Sequence, residues 1–255
     1  MTSNYQEYLE KEIFLEQLDY YQKLQLLHKK KMALKEKIRT FSSPFIVEFS
    51  GSPRSGKTTS VNLIYDFFKN ADFKVKYMEE PAAQIKKIYA TQSESQKLTA
   101  VEFNNQALCI SEKFVEEISS SDLDLVLLDR GVLDNYIWFE KMHREGLIGD
   151  KDYILLMNQR MSWVKDKINL LYLMFCQPDI AVKRDYLNSL YLEERKKTNH
   201  QNIMQLNDCM SYLIPYFEKA LGGNSYVRKL DTSFSNIQDN AIELTSTIIS
   251  SMEKR

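Results

Sequence analysis

Gly51-Ser52-Pro53-Arg54-Ser55-Gly56-Lys57-Thr58-Thr59 is the stretch on which the reading of this chain turns. Its first eight residues have the spacing GxxxxGK[ST], and they lie between the apolar run Phe45–Ser50 and a helical pattern at 57–70. Strand, loop and helix in that order make a cradle for phosphate. The glycines let the main chain wrap closely, successive N–H groups point inward, and the helix N-terminus adds partial positive charge. Lys57 is then expected to meet the β- and γ-phosphates of a donor nucleotide, and the Thr58 hydroxyl to ligate Mg²⁺. Of the seven glycines in 255 residues, two stand at the two positions the loop requires.

Outward from the loop, short β-rich runs alternate with helical stretches. The runs are Phe45–Ser50, Val75–Met78, Leu123–Leu128, Leu170–Phe175 and Tyr226–Leu230, several of them almost continuously apolar, as in strands covered on both faces. Helices fit at about 57–70, 82–91, 98–119, 132–146, 150–167, 179–195, 201–221 and 235–253. This alternation predicts an α/β fold: a three-layer αβα sandwich of the P-loop NTPase type, with about five parallel strands. Residues 5–39 stand apart. They contain no Gly or Pro and carry apolar residues at helical spacing, from Tyr5 and Leu9 to Leu34 and Ile38. That predicts one long helix, or two with a bend, reaching about 50 Å. Phe41-Ser42-Ser43-Pro44 ends it, which divides the chain into a helical arm at 1–41 and a phosphate-binding domain at 42–255.

Charge and composition narrow the partners. Lys and Arg number 34 against 35 Asp and Glu, a net charge of −1, so no global basic field favours a nucleic-acid polymer. The arm is polarised, with Glu7, Glu10, Glu12, Glu16 and Asp19 early and Lys29, Lys30, Lys31, Lys35, Lys37 and Arg39 late. An antiparallel second copy would match each end to its opposite, giving a homodimer. The alternative is that the helix packs on its own domain with its charges in water. Cys109, Cys176 and Cys209 are widely spaced with no CxxC, as expected of reduced thiols in a cytoplasmic protein. The longest apolar run, Ile168 to Cys176, is too short to span a bilayer.

Two further segments carry chemistry. The strand Leu123–Leu128 runs into Asp129-Arg130-Gly131, where a hydrolytic motor would place an Asp-Glu pair. Asp129 suits the metal region, whereas a permanently charged guanidinium fork suits an anionic substrate or a transferring phosphoryl group better than it suits water activation. This points to a kinase with a small acceptor. The second strand ends in Glu79-Glu80-Pro81, which puts a carboxylate at the C-terminal edge of a parallel strand, where ligands bind in open α/β sheets. Glu80 is thereby a candidate to orient or deprotonate an acceptor hydroxyl.

The ordered set Ser55-Gly56-Lys57-Thr58-Thr59, Glu80-Pro81, Asp129-Arg130 and Pro178-Asp179-Ile180-Ala181-Val182-Lys183-Arg184 resembles the thymidylate kinase and deoxynucleoside kinase group of P-loop phosphotransferases, over about residues 44–250. The resemblance implies a charged lid after Pro178, at about 184–200, with Arg184 and Arg195 as guanidinium candidates over the phosphates. Gln106, 23 residues before Asp129, is similar in spacing to the base-reading glutamine of deoxynucleoside kinases. Arg54 resembles the loop arginine of one thymidylate kinase class. Lys229-Leu230-Asp231-Thr232-Ser233 resembles the last-strand exit that borders the adenine in that group, and Tyr136, Trp138 and Phe139 offer rings to an acceptor base. Gly131 departs from the group's usual triplets. The expectation is an ATP- and Mg²⁺-dependent kinase acting on a nucleoside or nucleoside monophosphate. A kinase of another small molecule, or a nucleotide-binding switch with a partner-binding arm, remain the other readings.

Overall fold

Every residue of Phe45–Gly51 is buried, and this strand, β1, forms the centre of the sheet. The computed structural model describes residues 2–38, 41–89, 98–165, 167–188 and 198–255. Among them β2 (Val75–Met78), β3 (Leu125–Asp129), β4 (Leu170–Phe175) and β5 (Val227–Asp231) complete a sheet in the order β2-β3-β1-β4-β5, with every pairing parallel. Parallel neighbours need crossovers, and these are supplied by α2 (Lys57–Lys69), α3 (Pro81–Tyr89), α4 (Ala100–Ser119), α5 (Val132–Arg144), α6 (Asp150–Val164), α7 (Pro178–Asn188) and α8 (His200–Leu221), with α9 (Ile237–Glu253) closing the chain.

The period of two along each strand sorts the core into two layers. Phe45, Val47 and Phe49 face α2 and α9, along with Leu125, Leu127, Tyr172 and Met174. Ile46 faces the opposite layer with Val126, Leu128, Leu171 and Leu173, under α4, α5, α6 and α8. Glu48 shares that second face by alternation. Strand ends shift by one or two residues from the expected runs. β1 extends to Gly51 and β3 to Asp129, so both strands deliver their chemistry at the same carboxyl edge.

The arm is one continuous helix, α1 (Thr2–Ile38). Its second half is built into the α2–α9 layer through Leu27, Leu34 and Ile38. Lys31 is also buried there, its Nζ donating to the Phe67 carbonyl at 2.6 Å and lying 3.8 Å above the Phe67 ring. Leu18, Tyr21, Leu26 and Met32 remain exposed on other faces. No helix among the described residues is long and apolar enough to cross a membrane.

Candidate active site

The loop between β1 and α2 takes its shape from close packing. Gly51 has φ 152°, and a Cβ there would sit 2.2 Å from the Met174 carbonyl oxygen of β4, so no other residue fits. Arg54 holds φ 60° and Gly56, which starts α2, holds φ 86° with no side chain capping the helix. The first N–H groups of α2 therefore open onto the loop.

Lys57 is buried, and its Nζ donates to the carbonyls of Gly51 (3.0 Å) and Ser52 (2.7 Å) and to Ser55 Oγ (3.1 Å). Burial, reinforced by the Arg130 charge, lowers its pKa to about 7. Ser52 Oγ is buried with no hydrogen-bond partner. Thr58 Oγ1 donates to Asp129 Oδ2 at 2.5 Å. Burial pushes the Asp129 carboxyl up despite this bond. A hydroxyl and a carboxylate converging beside a phosphate loop form the oxygen donor pair a hard cation such as Mg²⁺ prefers. Among the described residues no group of three His, Cys, Asp or Glu side chains gathers as a metal site.

Arg130 occupies the next corner. Its φ is 63°, its main-chain N–H donates to the Phe49 carbonyl (2.9 Å), and its guanidinium is shared between two carboxylates. Nε meets Glu80 Oε1 at 3.0 Å and Nη1 meets Asp134 Oδ2 at 2.7 Å. Burial alone would lower its pKa, but Asp134 and Glu80 outweigh burial and raise it. Asp134, in the first turn of α5, also accepts from Gly51 N (3.2 Å) and Trp138 Nε1 (3.2 Å). One buried carboxylate thus ties the phosphate loop, Arg130 and Trp138 together.

These groups line a continuous cavity of about 1580 Å³, larger than the ~300–1,000 Å³ typical of one small-molecule site. Along the carboxyl edge of the sheet, the lining residues Pro53 to Thr59 follow β1, with Arg184, Thr232, Ser235, Ile237 and Asn240 after β4 and β5, whereas Pro81, Lys86, Phe103, Asn104, Asn135, Trp138 and Met142 belong to the helices that follow β2 and β3. Asp129, bonded to Thr58, and Arg130, paired with Glu80 and Asp134, join the two groups.

The structure sorts the remaining expected residues. Arg54 Nε donates to Asp185 Oδ1 on α7 at 2.6 Å, and its Nη2 pairs with the same oxygen. Arg184 lines the cavity, yet its guanidinium is anchored, donating to the Arg54 carbonyl (3.2 Å) and to Thr232 Oγ1 (3.3 Å) and carbonyl (2.5 Å). Gln106 is not among the cavity's lining residues; its Nε2 donates to Tyr89 OH at 2.9 Å, and Asn104, two positions earlier on α4, lines the wall instead. Tyr136 and Phe139 are fully buried in the core, so of the three rings only Trp138 reaches the cavity. Arg195, and residues 189–197 of the expected lid, lie outside the described residues. Sequence reasoning passed over Glu48, Asp134 and Asp185. The first two had readable signals, since Glu48 is a lone charge inside an apolar strand and Asp134 is an acidic residue four positions after Arg130, in the first turn of the following helix.

No family model matches the chain, and no curated protein matches it. Solved structures do. One is a deoxyadenosine kinase from M. mycoides with bound dATP, 14% identical, covering 79% of this chain and 97% of that chain with a TM-score of 0.55. The likeness shows the fold: a P-loop α/β fold of the deoxynucleoside kinase kind.

Proposed function

We propose that this protein is an ATP- and Mg²⁺-dependent phosphotransferase that moves the γ-phosphoryl group onto a nucleoside, at a hydroxyl, or onto a nucleoside monophosphate, at a phosphate oxygen. The observation that carries the reading is the continuous cavity, with a phosphate loop at one end, an apolar and amide-lined chamber at the other, and the Glu80–Arg130–Asp134 cluster at the junction. A hydrolase needs no second chamber.

In this reading the main-chain amides of Gly51 to Thr58 cradle the donor, and Lys57 exchanges its loop oxygens for phosphate oxygens. Thr58 and Asp129 hold the cation, which when bound neutralises charge on the donor phosphates. Arg54, fixed by Asp185, faces the phosphates from the loop. Arg184 ties α7 to the loop and to the end of β5. Glu80 accepts the proton of the acceptor hydroxyl as the new O–Pγ bond forms and the bond to the β-phosphate oxygen breaks, releasing ADP. Arg130 aligns Glu80 and offsets the developing charge. Trp138 and Phe103 form apolar walls for a planar base, with Asn104 and Asn135 as amides along the same wall.

Charge balance favours a neutral acceptor. Arg130 is already matched by Glu80 and Asp134, and Lys86 is the one further cation lining that chamber among the described residues. A nucleoside hydroxyl enters such a site at less electrostatic cost than a dianionic monophosphate. The test is steady-state ADP release from ATP and Mg²⁺ with a panel of nucleosides and their monophosphates. Acceptor-dependent release is expected, strongest with a nucleoside. Tight nucleotide binding without turnover under any acceptor would instead support a switch.

A further inference from the structure

Glu48 is fully buried at the middle of β1, with Leu128 and Leu171 as its cross-strand neighbours. A carboxylate is among the costliest side chains to place there, unless its oxygens are used. They are. Oε1 accepts from Asp134 N (2.7 Å) and Ser50 Oγ (3.0 Å), and Oε2 accepts from Leu133 N (3.1 Å).

Leu133 and Asp134 supply first-turn N–H groups of α5, which have no partner within their own helix. The residue ahead of that helix, Gly131, has no side chain to cap them, so the cap comes from another strand. This also accounts for Gly131 itself. A Cβ at that position would lie 2.7 Å from Glu48 Oε2 and 2.8 Å from its Cδ. The glycine of Asp129-Arg130-Gly131 clears space for the Glu48 carboxylate.

We propose that Glu48 is a positioning residue of the acceptor clamp: by holding the first turn of α5 from the strand that leads into the phosphate loop, it fixes Asp134 so that Gly51 and Arg130 are held in one register. The path is short. The Glu48 carboxylate holds the Asp134 main chain, and the Asp134 side chain holds Gly51 N, Arg130 Nη1 and Trp138 Nε1. Catalytic geometry is sensitive at this scale, since a displacement of about 1 Å can cost about 10²-fold in rate. The inference rests on the proposed phosphotransfer for its kinetic readout only.

The test uses the full chain with Trp163→Phe, which leaves Trp138 as its single tryptophan. Glu48→Gln keeps the side-chain shape but puts an NH₂ group where an acceptor stood. Expected are an altered Trp138 emission in a protein that keeps its circular dichroism spectrum, an acceptor-dependent kcat lower by about 10²-fold, and a nucleotide Kd that changes little. Gly131→Ala crowds the same carboxylate from outside and reads the proposal even where Glu48→Gln is poorly folded. It should give the same emission change in the parent and none beyond that of Glu48→Ala when the two are combined. Unchanged Trp138 emission in Glu48→Gln, turnover and nucleotide affinity falling together, or strictly additive effects of Gly131→Ala and Glu48→Ala would each overturn it. Absence of turnover in the parent would defeat the kinase reading alone, because emission and the combined variant still decide the role of Glu48.

Discussion

At the donor end of the cavity, seven consecutive residues from Pro53 to Thr59 furnish much of the lining, whereas toward the acceptor Glu80, Phe103, Arg130 and Trp138 arrive from four separate segments. The donor end recognises with main-chain amides and needs special side chains mainly at Lys57 and Thr58. The acceptor end recognises with side chains alone, and the central one, Arg130, is held by Asp134 four residues on and by Glu80 fifty residues before it. A loop of contiguous residues carries its geometry with it. A clamp assembled from α3, α4 and α5 holds its geometry only while the sheet and Asp134 keep those helices in register.

If that contrast is right, the two ends should fail differently. Lys57→Ala removes the ammonium from the donor end and should cut turnover by at least about 10³-fold, with weaker nucleotide binding, as read by ADP release and calorimetry. Full activity in that variant would remove the loop from the mechanism. Glu80→Gln should lower acceptor-dependent turnover by about 10²-fold while nucleotide affinity holds. Equal losses in both would erase the distinction between the ends.

A pH experiment probes the link between them. Burial raises the Glu48 pKa from 4.5 to about 7. Between those values the folded chain keeps a proton that the unfolded chain releases, so this group makes stability fall as pH rises through the window, by roughly 3 kcal/mol in all, and level off above it. Urea midpoints measured from pH 4.5 to 8 should show that fall in the parent and a flatter profile in Glu48→Gln.

Smaller effects refine the picture. Arg54→Ala, which breaks the charge-assisted pair with Asp185, should reduce turnover by about tenfold through the donor end and leave acceptor discrimination unchanged across the nucleoside panel. Gln106→Ala should change activity less than about twofold, because that amide bonds Tyr89 and lies outside the cavity lining. A large loss of base selectivity in Gln106→Ala would mean that the acceptor reaches further along α4 than the cavity does.

How far the sequence could be read follows the same division. The five strands, the crossover helices and the phosphate loop were all legible, since each is a local pattern: apolar runs, helical spacing and glycines at fixed offsets. Asp129, Arg130 and Glu80 were legible as strand-end residues, because parallel strands place their carboxyl ends on one edge. Gln106 illustrates the limit. Its distance from Asp129 in sequence matches a base-reading position, but helix rotation decides which residue of α4 faces the cavity, and that favours Asn104. Arg54 and Arg184 show the same limit for charge. Each was recognisable as a cation near phosphates, while the pairing with Asp185 and the anchoring on Thr232 depend on how α7 meets the loop and β5.

The residue order alone determined that a strand, a phosphate cradle and a helix follow one another, because backbone geometry over a few residues is dictated by the glycines and apolar positions within it. Only the packed molecule decided that Glu48 caps α5, that Gly131 makes room for it, and that Asp134 binds the loop to Arg130. The bonds from Glu48 to α5 and from Gly51 to Asp134 join residues more than eighty positions apart, and hydrogen bonds of that reach exist only after the sheet has brought their partners together.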